Sequence, residues 1–209
     1  MRKASPELSR ARREEIISAC ASLYETMSFR EITIGDIGKK TSFTRTSIYN
    51  YFHTKEEIFL ALLQREHELW AEDLSALAEK GAPLPAPVFA KKLAATLEDR
   101  PVMLRLMAMN LYDMETNSRT ERLADFKRSY AAVTAALFRA LERAFPSMTK
   151  EKEESFLYAF FPFLFGIYPY TSHTEKQIRA MEMAGVPYVR FTISELAGRF
   201  IERLLASLL

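Results

Sequence analysis

Apolar positions recur at helical spacing along most of this chain, and no stretch sustains the strict alternation of a strand. From Leu8 to about Met27, the side chains Ile16, Cys20, Leu23, Tyr24 and Met27 share one face of a first helix, behind residues 1–9 as a mobile arm. Residues 28–32 form a connection that should bury Phe29 and Ile32. Residues 33–55 then predict two short helices, a tight turn between them, and the entry to a third. Thr33, with Asp36 three residues on, makes an acidic capping box, and Ile34 and Ile37 share the inner face. Gly35 and Gly38 let a second helix approach closely. Phe43 plugs the turn, and Thr44 is placed to cap a helix from Arg45 to about Phe52. Within it Ile48 and Phe52 face inward, whereas Arg45, Thr46, Tyr49 and Asn50 face outward. Thr54 caps the next helix with Glu57 as its box partner, and that helix runs to about Glu79.

The clearest break in the chain is the Gly- and Pro-rich stretch 81–87. Beyond it the pattern predicts helices at about 87–98, 101–113, 119–144, 149–173 and 192–208, with Pro101 at a first helical position, where its missing N–H costs nothing. Segment 149–173 is apolar on every side and should be buried nearly all round, with a kink at Pro162. A kinked aromatic helix suits the wall of a cavity. Met103, Met107, Tyr112, Phe126, Tyr130, Phe160, Phe163 and Tyr168 are the candidate ligand contacts, with a plain packed core as the alternative for each. The last helix opens with a Thr192/Glu195 capping box and carries a broad apolar stripe, with Gly198 permitting close approach. That stripe must be covered, by its own domain or by another copy. Phe156, Phe200, Ile201, Leu204, Leu205 and Leu208 are the candidate interface residues.

The outward face of the Arg45 helix mixes a cation, hydroxyls, an amide and a phenol, which serves poorly in a core and well against nucleic acid. Arg can bond guanine bidentately and Asn adenine, while Thr and Tyr more often meet phosphate. Lys55, at a helix N-terminus, stands where a phosphate is favoured. The net charge of +2 is uninformative, but its distribution is not. Residues 1–55 hold ten Lys/Arg against six Asp/Glu, so the positive end coincides with this face. Arg2, Lys3, Arg10, Arg12 and Arg13 extend it.

A single cysteine, Cys20, excludes an intramolecular disulfide and a Cys-based zinc site, and reads as a small buried hydrophobe. The N-terminus has no apolar leader and no stretch approaches the ~20 apolar residues of a membrane span, so a cytoplasmic protein without membrane contact is expected. The three histidines, His53, His67 and His173, lie in no metal-binding spacing, and neither a glycine-rich phosphate loop nor a Gly-x-Ser-x-Gly elbow occurs. No cofactor is implied.

The run Ile48-Tyr49-Asn50-Tyr51-Phe52, followed by Thr54-Lys55-Glu56, resembles the end of the helix-turn-helix in the TetR family of bacterial transcriptional regulators. The likeness covers about residues 10–60, and the rest only in length and helical character. It implies that Thr33, Thr44, Tyr49, Tyr51 and Lys55 touch phosphates and that Arg45, Thr46 and Asn50 read bases. It also implies a homodimer whose last two long helices pair across subunits. The family's turn usually carries glycine where this chain has Ser42, so a positive φ there would strain the backbone. The expected architecture is all-α, with a helix-turn-helix DNA-binding domain in residues 1–55 and a helical ligand-binding and dimerisation domain in 56–209. The expected function is a repressor released from a double-stranded, near-palindromic operator by a small hydrophobic or amphipathic ligand. A ligand-independent architectural DNA binder, or a helical enzyme using His67 or His173, is the alternative.

Overall fold

The computed structural model describes residues 5–79 and 83–209; Arg2 and Lys3 of the basic arm, and Gly81 and Ala82 of the break, lie outside the described residues. The described residues form helices and connections with no strand. In chain order the helices are α1 (Pro6–Tyr24), α2 (Ile34–Lys39), α3 (Arg45–Ile48), α4 (Lys55–Glu79) and α5 (Ala86–Glu98). They continue with α6 (Pro101–Thr116), α7 (Thr120–Ala144), α8 (Lys150–Thr171), α9 (Glu175–Met183) and α10 (Ile193–Leu208). No helix among the described residues is long and apolar enough to cross a membrane.

The chain divides into two compact units, the first made of residues 5–66 with Asn110–Tyr130 and the second of His67–Met109 with Ala131–Leu209. In the first unit, Ile16, Cys20 and Tyr24 of α1 are buried with Ile37, Ile48, Phe52, Ile58 and Phe59. The Tyr24 ring meets Phe59 edge-on at 5.2 Å, and Phe29 lies 4.7 Å from the same ring. Phe29 and Ile32 are buried as the connection required. Burial drives the Cys20 thiol well above its ordinary pKa, so it stays protonated and inert.

The second unit is built on large side chains. Trp70 is fully buried, donates its indole N–H to Thr96 Oγ1 at 2.9 Å, and tilts against Phe160 and Phe161 at 6.4 and 6.2 Å. Helix α10 packs on α5 and α8, burying Ile193, Ala197, Ile201 and Leu205. A Cβ at Gly198 would meet Ala94 at an ordinary 3.7 Å, so close approach does not demand glycine there.

Helices α8 and α9 depart from the pattern of the sequence. Helix α8 runs through both Pro162 and Pro169, but it is not buried all round: Phe156, Phe160, Leu164 and Ile167 face in, while Tyr158, Phe165 and Tyr170 are exposed on the outer side. Helix α9 lies between the predicted helices; it is short and buries no residue, with only Ile178 and Met181 half-buried along one side. Its end signals are nonetheless present, in a Thr174/Gln177 capping box and a left-handed Gly185 (φ 65°) whose successor Val186 donates to Met181 O at 3.0 Å.

Candidate nucleic-acid interface

The reading element begins with α2, fixed by its predicted box. Asp36 N–H donates to Thr33 Oγ1 at 3.2 Å, while Thr33 donates from its N–H and hydroxyl to Asp36 Oδ2 at 3.3 and 2.6 Å. The Thr33 hydroxyl, and then Lys39, hold the Asp36 carboxyl at about 2. Both Thr33 donors are therefore committed inside the cap rather than presented to phosphate. A Cβ at Gly38 would lie 3.3 Å from Arg45 Cα and Cβ, so this glycine sets how closely α2 and α3 pack.

The turn needs no glycine. Among the described residues no non-glycine residue has positive φ, and Ser42 is held instead by Glu15 of α1, whose carboxylate accepts from the Ser42 N–H and, at 3.0 Å, from its hydroxyl. The Arg12 guanidinium lies 5.6 Å over the half-buried Phe43 ring.

Helix α3 proper ends at Ile48, short of the predicted Phe52. Its last turn tightens to i→i−3 bonds, Asn50 N–H to Ser47 O at 3.2 Å and Tyr51 N–H to Ile48 O at 2.8 Å, before Phe52 N–H returns to Ile48 O at 3.0 Å. Ile48 and Phe52 are buried; Thr44, Arg45, Thr46, Tyr49 and Asn50 are exposed in one row, with Tyr51 half-buried at its end. Arg45 Nη2 donates to the Tyr49 phenol at 3.4 Å, so the two side chains are set in advance. Thr44 does not cap α3 with its side chain; its hydroxyl pairs with Ser47 Oγ at 3.1 Å.

Lys55 differs most from expectation. Its ammonium turns inward and donates to the carbonyls of Phe29 (2.7 Å), Ile32 (3.3 Å) and Arg30 (3.5 Å), 4.6 Å from the Phe29 ring. An ammonium has three donors, and all are used on the connection between α1 and α2, so this lysine braces the reader instead of offering a free cation. Thr54 Oγ1 accepts from Glu57 N–H at 3.2 Å as predicted, but the Glu57 carboxylate reaches the His53 N–H at 2.8 Å.

Sequence reasoning missed the partners of that carboxylate. Glu57 is buried and accepts from Arg119 Nε (2.6 Å), Nη2 (2.9 Å) and backbone N–H (3.2 Å), with Arg119 lying before α7. Burial by itself would raise the Glu57 pKa; the Arg119 guanidinium and the two backbone amides outweigh it and hold the carboxyl at about 2. Arg122 donates to Tyr51 O at 3.3 Å and lies 5.9 Å from the Phe52 ring, which Arg13 also covers at 5.3 Å. Burial first, and the nearby Arg122 charge second, lower the pKa of Arg13.

The candidate ligand residues fall into both units. Met103, Met107 and Phe160 are buried in the second, where Phe160 is packed by Phe156 at 5.4 Å, Phe161 at 6.2 Å and Trp70, so at these positions the plain core holds. Phe163 stacks on Phe200 at 4.0 Å, and Tyr168 lines an open cleft of about 410 Å³ with Arg190, Phe191 and Glu98. In the first unit Phe126 is buried, Tyr130 half-buried and Tyr112 81% exposed. Of the candidate interface residues, Phe156, Ile201 and Leu205 are buried inside their own unit and are unavailable to a second copy; Phe200, Leu204 and Leu208 remain half-exposed. Among the described residues no group of three or more His, Cys, Asp or Glu is placed to hold a metal ion; His53 is exposed, His67 buried, and the His173 ring lies 6.1 Å from Tyr188.

Residues 16–62 match the bacterial regulatory proteins of the tetR family, and residues 64–208 match the tetracyclin repressor-like C-terminal domain. The HTH-type transcriptional regulator RutR of Escherichia coli K12 is 26% identical over 102 residues, 48% of each chain, so the chain spans about half the length of the curated relatives it matches. Two solved structures share the fold over nearly all of their length. FadR from Bacillus subtilis, in complex with stearoyl-CoA, has a TM-score of 0.61 at 14% identity and covers 92% of this chain and 97% of its own. Thermus thermophilus FadR, a TetR family transcriptional repressor in complex with lauroyl-CoA, has a TM-score of 0.57 at 18% identity and covers 95% of each.

Proposed function

The chain belongs to the TetR family of bacterial regulatory proteins, DNA-binding regulators of transcription that respond to ligands, and on that premise we propose that it is a repressor released from its operator by an amphipathic ligand. The observation that carries this reading is the row Thr44, Arg45, Thr46, Tyr49 and Asn50, exposed above a buried Ile48 and Phe52. A rigid apolar underside with a polar outer row is what a helix laid in a major groove needs. Arg45, Thr46 and Asn50 read base edges, and Thr44, Tyr49 and Tyr51 meet phosphate. Arg45→Ala or Asn50→Ala is expected to cost about 1–3 kcal/mol on the operator and to relax preference at single base pairs, measured by competition between duplexes with point changes. Uniform losses on every duplex would remove base reading from this helix.

A dimer sets two such helices about 34–36 Å apart on a near-palindrome. Its support in this chain is the outer face of α8, where Tyr158 (75% exposed), Phe165 and Tyr170 (70% exposed) lie on a helix that packs against α10. Phe200, Leu204 and Leu208 of α10 are half-exposed beside it. Paired Tyr158→Glu and Phe165→Glu substitutions should yield monomers in sedimentation; a persistent dimer would place the interface elsewhere.

The long-chain acyl-CoA ligands named for the two FadR structures support a ligand with an apolar chain and a charged head. The half-buried Phe163 of α8 and Phe191 of the open cleft supply apolar contacts of that character in the second unit, and Tyr168 lines the same cleft with Arg190. Such a ligand binds the DNA-incompetent state better, since equal affinity for both states would shift nothing. It acts by tilting α4, which starts at Lys55, a short connection after α3 ends at Ile48, and so moves the paired helices off the operator spacing.

A further inference from the structure

The reading helix is too short to hold its own orientation. Four residues make one helical turn, and an isolated turn gains a single hydrogen bond for the three residues it fixes. Its tightened last turn engages the Ser47 and Ile48 carbonyls, and the Tyr51 carbonyl beyond it takes its donor from a distant side chain. Residues 62 to 71 positions further along the chain supply what is missing. Asn117 O accepts from Thr54 Oγ1 at 3.1 Å, Arg119 grips Glu57, and Arg122 Nη2 takes the Tyr51 carbonyl at 3.3 Å while its guanidinium covers Phe52. Arg122 Nη1 in turn donates to Asp125 Oδ2 at 3.3 Å, which fixes the direction in which the guanidinium plane points.

Resting on the DNA-reading function above, we propose that Arg122 is a positioning residue for operator recognition. By holding the Tyr51 carbonyl and the Phe52 ring together, it fixes the angle at which Arg45, Thr46, Tyr49 and Asn50 leave the surface. It lies outside the segment that matches the family's N-terminal domain. A planar guanidinium can stack and donate at once; an ammonium can donate but cannot lie flat on a ring.

The test uses the full chain. Wild-type protein first enriches a duplex from a pool with a random core; that duplex and an unrelated one of equal length, both fluorescently labelled, are the probes. Arg122→Ala is expected to weaken the enriched duplex by about tenfold or more while the unrelated duplex changes by less than about twofold. Amide hydrogen exchange should quicken at Tyr49 to His53 and stay unchanged in α8. Arg122→Lys should recover only part of the specific affinity, and it carries the test alone if the alanine variant does not fold. Unchanged preference for the enriched duplex, or parallel loss on both duplexes, overturns the positioning role. A wild-type protein that enriches no sequence overturns the DNA-reading function, and the positioning role with it.

Discussion

Arg119→Ala is expected to destabilise the first unit by about 2–4 kcal/mol at neutral pH, because it leaves the Glu57 carboxylate buried without its guanidinium. The figure sits below that for a fully enclosed pair, since the Arg119 side chain is 39% exposed and two backbone amides still reach the carboxylate. A pH signature separates this from simple loss of packing. In the wild-type chain the Glu57 pKa is depressed, from an ordinary 4.5 to about 2, so its stabilisation is complete above 4.5 and is lost as pH falls through about 2. Without Arg119 the unopposed effect of burial moves the pKa upward, so the acid-labile stabilisation from Glu57 shrinks and less is left to lose as pH falls. Thermal melts followed by circular dichroism between pH 6 and 2 should therefore diverge most near neutrality and converge in acid. Parallel curves would show that Glu57 gains nothing from the arginine. Asp36, also held at about 2, titrates alike in both proteins and cancels from the comparison.

Trp70→Ala is the other large expected effect, about 3–5 kcal/mol from the second unit, because an enclosed indole leaves a cavity that its neighbours fill only in part. Phe160 and Phe161 lose their shared partner, and Thr96 Oγ1 loses an incoming donor but keeps its own bond to Leu93 O at 2.7 Å. Trp70→Phe should cost much less, since it retains most of the packing and gives up about 1 kcal/mol of hydrogen bonding. Urea midpoints of the two variants, read at constant slope, measure the difference. An alanine variant within about 1 kcal/mol of wild type would mean that the aromatic cluster collapses onto the space without strain.

What the chain discloses without coordinates is what depends on near neighbours. Thr33 with Asp36, Thr192 with Glu195, Pro101 at a first helical position, and Ile48 four residues before Phe52 are local signals, and each marks the element it predicted. The side chains that meet across the chain were not legible. Lys55 reads as a free cation at a helix start, and only the fold shows the Phe29, Arg30 and Ile32 carbonyls converging on it. Arg119 and Arg122 look like ordinary surface charges at the head of an amphipathic helix, and no periodicity ties them to a carboxylate and a carbonyl more than sixty residues earlier. Ser42 shows the reverse case. A residue that seems to threaten the turn is accommodated at negative φ by Glu15, a partner 27 positions before it. For α8, composition implied enclosure on every side, but composition cannot say which of its apolar residues look outward.

The prolines of α8 have one more effect. Pro162 and Pro169 each remove the amide that would have bonded the carbonyl four residues earlier, at Tyr158 and Phe165. Seven residues are close to two helical turns, so the two acceptors released in this way stand one above the other, on the same side as the exposed rings of those residues. An aromatic seam laced with under-bonded oxygens stays wettable. A subunit pairing there would enclose ordered water or a donated hydroxyl along its length, and its strength should respond to deuterated solvent and to osmolytes more than a purely greasy contact would.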